Sequence, residues 1–437
     1  MLCIHNAAIA ITMSLAGTAL GGNVNDWIAT VGDWTNPANW SMGSVPTPEQ
    51  TTIIANGGVA IIDHQDLTLG QGLIGTTLDG RFGMGEVIQR GGSTNWSGFG
   101  TLLLGRDEGS SGALTLTDQG QLTAFGALEI GWRGHAEAYI NDGSVVDVDQ
   151  LIVGGRRYEP ERSFSATASL EVMGPGTLIR TDVNPNANGM VIGAGGTAQV
   201  TIRDGARIET SNALLLSTTA QGSSLTIDGP GSMLQVFGDF FDTGRDIDLP
   251  DDHPPVGNAV LTLRNGGTLD ARQTSRAMVF NSDTLVNGSG EILGDITNFE
   301  GSVFDPGEGD QYGLLIVSGQ IDNTVSYIQA QDGGTLHFDV GGINSFDQLM
   351  VGELVAGGTL EIAIADDFSA QFGQSFDIIN TDSLSGSFTK ILLPELEGSL
   401  YFDADVHGHG VTLRVVPTPA SLLVLSIPML ARVRRRA

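Results

Sequence analysis

Between about Gly112 and about Ala271, apolar and polar positions alternate with a period of two, in short runs closed by glycine-bearing turns. One unit reads Ala113-Leu114-Thr115-Leu116-Thr117-Asp118-Gln119-Gly120, then Gln121-Leu122-Thr123-Ala124, then Ala127-Leu128-Glu129-Ile130-Gly131. The next repeats it as Ala138-Tyr139-Ile140-Asn141-Asp142-Gly143, Ser144-Val145-Val146-Asp147 and Gln150-Leu151-Ile152-Val153-Gly154. Further copies stand at 168–176 with Met190-Val191-Ile192-Gly193, and at 199–205 with Ala213-Leu214-Leu215-Leu216; degraded ones stand at 224–229 and 260–267. Alternation of this kind marks a half-buried strand, and Asp-Gly or Asn-Gly marks a tight turn between strands. The units recur every ~22–30 residues, a period at which repeats mean a solenoid. One unit cannot bury its apolar face alone, whereas stacked coils line up Leu, Ile and Val into a continuous core. The pattern therefore predicts an all-β fold, a right-handed parallel β-helix with about three strands per turn. A β-sandwich is the competing arrangement, since short, evenly spaced strands fit it too.

The flanks read differently. Residues 23–60 gather Trp27, Trp34 and Trp40, as a lid over the open end of a solenoid would. Stacking of those rings on sugar is the alternative use. The expected division is a signal peptide at 1–22, an N-terminal cap and first coils at 23–111, the repeat region at 112–325, and the last coils or a C-terminal β module at 326–414. A membrane or sorting segment follows at 415–437. That last segment opens with Val416-Pro417-Thr418-Pro419, continues as an apolar run from Ala420 to Ala431 predicted to form a short helix, and ends with Arg432, Arg434, Arg435 and Arg436. Arginines only on the distal side predict that this end lies in the cytoplasm. At the other end, the apolar stretch Ala7 to Leu20 closes in small residues, as a secretory signal does.

Composition narrows the function. The formal net charge is -30, which argues against nucleic acid, because little would neutralise phosphates. Cys3 is the only cysteine and falls inside the signal segment, so the mature chain would have no disulfide, cysteine–zinc site or thiol nucleophile. The sequence has 62 glycines against 15 prolines; with abundant Val, Leu, Ile and Thr this suits many short strands and turns.

The tail, taken with the repeats, resembles that of PEP-CTERM proteins, with Thr418 at the position of the family's glutamate. Leu128-Glu129-Ile130-Gly131, Leu151-Ile152-Val153-Gly154 and Val191-Ile192-Gly193 resemble the glycine-terminated strand of autotransporter and PEP-CTERM-associated repeats. Val303-Phe304-Asp305-Pro306-Gly307 with Gly313–Gly319 resembles the stretch that ends such arrays. The resemblance extends to Gly32–Trp40 with Val45-Pro46, and to Phe346–Leu349, Ser375–Ile379 and Gly386–Phe388. It implies export, a transient membrane hold through the C-terminal segment, and an exosortase-type protease and export machinery as partners. It implies no activity. A plain tail anchor is the other reading of the segment.

Candidate chemistry is sparse. The stretch Asp239, Asp242, Asp246, Asp248, Asp251, Asp252 and His253 interrupts the repeat, and insertions on solenoids often form the working face. Its carboxylates could serve a polysaccharide lyase or hydrolase as acid–base groups, or gather Ca²⁺. His407 and His409, two apart, would share one side of a strand and could share a metal. Arg156, Arg157, Tyr158 and Arg162 form a basic, aromatic loop that could contact an extracellular polysaccharide. None of these has the specificity of a catalytic signature, and no catalytic, cofactor or metal residue is assigned. The expectation is an exported, non-enzymatic β-helical protein of the cell envelope or extracellular matrix, structural or adhesive. A polysaccharide-acting β-helix enzyme using Asp239–His253 is the alternative.

Overall fold

A computed structural model describes residues 23–97, 101–155, 166–181, 189–216, 222–244, 259–281, 283–309, 311–323 and 333–418. The chain winds as stacked coils, and each coil adds strands to two long sheets whose pairings are parallel almost throughout. The 16-stranded sheet, less its two off-path hairpin strands, is one ladder of fourteen strands taken in sequence order. This first ladder starts at Val31–Asp33, continues through Asn56–Asp63, Met84–Arg90 and Ser111–Thr117, and ends with Thr335–Gly342, Thr359–Ile364 and Lys390–Leu392. The remainder of each coil feeds the 23-stranded sheet through two further ladders. In Gln121–Ile130 one strand spans both, bending where the register shifts between Ala124 and Ala127. Elsewhere the bend splits it, as in Arg207–Thr210 and Ala213–Leu216. Three strand pieces per turn is therefore what the pattern anticipated, and two packed antiparallel sheets are not what forms.

Register shows why the alternation works. A single inward row on the first ladder runs Ala60, Val87, Leu114, Ala138, Leu170, Val200, Leu225, Leu261, Val286, Phe304, Leu336 and Leu360, and every member is buried. A second row, on the other sheet, runs Leu122, Val146, Ile179, Ile208, Leu234, Leu269, Ile292, Val317 and Val351. Side chains of like kind meet across rungs ~4.8 Å apart, so each coil buries its apolar face on its neighbours. Fully burying one Leu, Ile or Val contributes about 1.5–3 kcal/mol. One core cluster extends from Trp27 to Val415. The predicted corners hold as well. At Asp142-Gly143, Asp204-Gly205 and Asn265-Gly266 both residues have positive φ, as a tight mirror-type turn requires. Corners also bond coil to coil: Gly143 N–H donates to Thr177 Oγ1, and Gly205 N–H to Ser232 Oγ, each at 2.9 Å.

The two ends close differently. At the N-terminal end the second ladder begins only at Asp66–Leu69. In the first coil its place is taken by the segment from Trp34 to Gln50, which holds the 3-10 turn Pro37–Asn39 capped by Asn36. Trp27, Trp34 and Trp40 are at most 2% exposed, with ring centroids 5.0 Å apart for Trp27–Trp40 and 4.8 Å for Trp34–Trp40. Trp40 Nε1 donates to the Trp34 carbonyl at 2.7 Å. At the C-terminal end Ser375–Gly386 joins the parallel ladder and then pairs antiparallel with Gly410–Pro417, which itself pairs antiparallel with Leu400–His407.

Two expected boundaries can be set beside the pairing. Strands on either side of 326 pair in parallel, Leu314–Asp322 with Gln348–Ala356 and Val303–Glu308 with Thr335–Gly342. The antiparallel closure begins at about residue 375. The tail boundary at 415 falls inside the last strand, where Val415 is fully buried opposite Phe402. The signal segment 1–22 and the expected apolar helix lie outside the described residues, among which no helix is long and apolar enough to cross a membrane.

Candidate functional site

The densest meeting of metal-ligating side chains on the described surface is Asp305, His337 and Asp339. Ladder geometry makes it. Phe304 pairs with Leu336, so the next residues, Asp305 and His337, stand on adjacent rungs of the outer face. Asp339 follows His337 by two and shares that face, since side chains alternate along a strand. His337 in turn pairs with Glu361 on the following rung. One ligand atom from each of Asp305, His337 and Asp339 lies within 4.8 Å of the others. His337 Nε2 is 3.6 Å from Asp339 Oδ1, and its Nδ1 is 3.5 Å from Glu361 Oε2.

Two short hairpins follow the strands that carry the cluster, whose three side chains are half-buried. Gln311-Tyr312 folds back on Val303–Glu308, and Ser345-Phe346 folds back on Thr335–Gly342. A side chain at Gly341 would overlap the Tyr312 hydroxyl, so glycine there lets the first hairpin lie against the next coil. Asp347, 1% exposed, ties the two together: its Oδ1 accepts from Gly313 N at 2.9 Å and its Oδ2 from Asp339 N at 2.8 Å. Burial pushes the Asp347 carboxyl up to about 7 against those two bonds, and the charges of Asp305 and Asp339 push the same way. Asp305 is also raised, first by burial, then by Asp339, with His337 opposing. No hydrogen bond reaches the Asp305 carboxylate among the described residues.

The residues expected from the sequence fall elsewhere. Of the acidic insertion, Asp239 and Asp242 are described, while Asp246, Asp248, Asp251, Asp252 and His253 lie outside the described residues. Asp239 accepts from Ser275 Oγ at 2.9 Å. Asp242 Oδ2 pairs with Arg276 at 2.7 Å, but its Oδ1 is buried without a partner. Burial raises Asp242 to about 6 despite Arg276, which also stacks on Phe240 at 4.9 Å. His407 ends a strand and His409 occupies the following turn, so the two do not share one strand side. His409 Nδ1 lies 3.1 Å from the Asp382 carbonyl, and His407 Nε2 3.4 Å from Thr412 Oγ1. The tryptophan rings are sealed inside the cap, which removes sugar stacking as their use. Val416 and Pro417 belong to the last strand, opposite Tyr401 and Leu400, and Thr418 N donates to Ser399 O at 2.8 Å. Pro419, Arg432, Arg434, Arg435 and Arg436, and the loop residues Arg156, Arg157, Tyr158 and Arg162, lie outside the described residues.

Sequence reading missed the Asp305–His337–Asp339 cluster. Its one local signal is His337-Phe338-Asp339, a histidine and an aspartate on the polar side of an alternating strand. Asp305 could be added only with the register in hand.

No family model matches this chain, and no curated protein matches it. Among solved structures it is similar to the crystal structure of a TibC-catalysed hyper-glycosylated TibA fragment, at 13% identity over 78% of this chain and 97% of that one. The TM-score is 0.33, too low for anything to rest on it. The fold stands on the strand pairing given above.

Proposed function

We propose that this chain is an exported, non-enzymatic β-helical rod of the cell envelope or extracellular matrix, structural or adhesive, delivered by an exosortase-type system acting on its C-terminal segment. The observation that carries the reading is the unbroken parallel ladder from Val31–Asp33 to Lys390–Leu392 with a distinct closure at each end. Fourteen rungs at ~4.8 Å make a rod roughly 60 Å long. Its inner rows are apolar, and one outer row is polar at its middle, through Glu137, Ser169, Gln199 and Ser224, before Val260 and Leu285 continue it. Such a rod holds its two ends apart and offers a long flank, polar at its middle, which suits spacing and adhesion. The net charge of -30 favours basic partners and divalent cations over polyanions.

Sorting is tested at the tail. Intact mass spectrometry of protein from the native host is expected to show a C-terminus near Pro417–Pro419. Replacing Arg432, Arg434, Arg435 and Arg436 with glutamine should leave the fold intact and disturb membrane retention. A chain that keeps Arg436, with unchanged fractionation of the variant, would reduce the tail to a plain anchor.

A further inference from the structure

We propose that Asp305, His337 and Asp339 bind one divalent cation of the Zn²⁺ or Mn²⁺ class, and that the ion clamps the two hairpins of successive coils. The inference goes beyond the rod reading and does not depend on how the chain is exported.

The donor set is specific. One imidazole nitrogen with two carboxylates suits borderline divalent ions, whereas Ca²⁺ prefers 6–8 oxygens. Ligand atoms no more than 4.8 Å apart can close on one ion by side-chain rotation alone. Bonds of ~2.0–2.2 Å at tetrahedral angles put neighbouring ligand atoms roughly 3.5 Å apart, and His337 Nε2 already stands 3.6 Å from Asp339 Oδ1. The far side of the ring is arranged as metal-bound histidines require. Glu361 faces Nδ1 at 3.5 Å, on the other side of the ring from Asp339, where a carboxylate would orient an imidazole whose Nε2 holds an ion.

The charges also call for a cation. Asp305 is half-buried on the outer face, and no donor reaches it among the described residues. The interactions acting on it are an opposing imidazole and a repelling carboxylate, with no arginine or lysine among them. Arg264, on a nearby coil, is held by Glu308. A carboxylate removed from water without a donor or counter-ion is costly, and a bound dication offsets that cost for Asp305 and Asp339 together. Because Asp305 belongs to the strand before the Gln311-Tyr312 hairpin, and His337 and Asp339 to the strand before Ser345-Phe346, one ion joins two coils.

The test uses untagged full-length protein stripped with chelator, then titrated calorimetrically with Zn²⁺, Mn²⁺, Ca²⁺ and Mg²⁺, with the melting temperature followed in parallel. Expected are one equivalent of Zn²⁺ or Mn²⁺ bound, a rise in melting temperature on binding, and clearly weaker Ca²⁺ and Mg²⁺. His337→Gln and Asp305→Asn should abolish the binding, and Glu361→Gln should weaken it 10–100-fold by removing the carboxylate behind the ring. His409→Gln should leave it unchanged. The proposal is overturned by no binding of Zn²⁺ or Mn²⁺, by Ca²⁺ binding as tightly, or by binding that survives His337→Gln or disappears with His409→Gln. Circular dichroism identifies any variant that fails to fold. Glu361→Gln, an outward change on a paired strand, then decides the matter, and undiminished affinity there counts against the site.

Discussion

The two ends of the rod solve the same problem by different means. A parallel coil stack leaves its terminal rungs with bare core and unpaired backbone, and both must be hidden. At the N-terminal end side chains do the work. A segment without a strand crosses the position of a missing rung, and Trp27, Trp34, Trp40 and Trp96 fill the opening edge to face, with Trp34–Trp96 centroids 6.0 Å apart. At the C-terminal end the backbone does it. The strand direction reverses, Gly410–Pro417 pairs on both sides, and a looser group of phenylalanines packs beneath, with Phe376–Phe402 at 6.2 Å and Phe368–Phe402 at 6.0 Å. Loss of one ring is therefore expected to be felt throughout the plug, and the antiparallel set is expected to open without disturbing the rungs behind it.

Breaking the plug should therefore have the largest effect. Trp34→Ala removes a wholly buried ring that packs on two others, Trp40 and Trp96, and should cost about 3–5 kcal/mol, as large-to-small changes of core aromatics do. Because the core is continuous from this cap through the coils, the loss should appear in the global denaturant midpoint. Phe402→Ala removes a ring of nearly equal burial at the other end. Its cost should be felt as local opening, so the global midpoint moves less than for Trp34→Ala. Hydrogen exchange should quicken across 375–417 while the strands from Ser111 to Ile140 keep their protection. Equal global shifts for the two variants would show that the ends are equivalent.

What the sequence disclosed follows from how each feature is encoded. The coils were legible because the alternation in Ala113–Thr117 and its copies is local, and because Asp-Gly and Asn-Gly corners carry their turn geometry in two residues. The tryptophan cap was legible as a cluster, but its buried state decides against sugar and needed the fold. Beyond 326 the repeat motif has faded, yet Thr335–Gly342 and Gln348–Ala356 keep the ladder register without it. Val415 reads as the start of a tail, yet its partner Phe402 makes it core. The histidine–aspartate cluster was hidden for a different reason. Asp305 and His337 become neighbours only through the pairing of Phe304 with Leu336, a long-range register that no local pattern states.

The stretch between the ends supplies the control for that comparison, and the smallest effect. Asp242 sits mid-rod with one oxygen on Arg276 and the other buried without a partner, and burial lifts it to about 6. A carboxyl raised on folding binds its proton more tightly in the native chain than in the unfolded one. Its favourable contribution is complete below the unfolded value near 4 and is lost as the pH rises through about 6. Asp242→Asn removes the titration, so the variant should gain on the wild type between pH 4 and pH 7. With the side chain 23% exposed, that gain is on the order of 1–2 kcal/mol. Thermal melts across that range read it. The same difference should persist in a Trp34→Ala background, because mid-rod burial and end closure share no partner. If the pH-dependent gain vanished there, the plug would be controlling the packing around Asp242, and the rod would be one cooperative unit from the tryptophans to its middle.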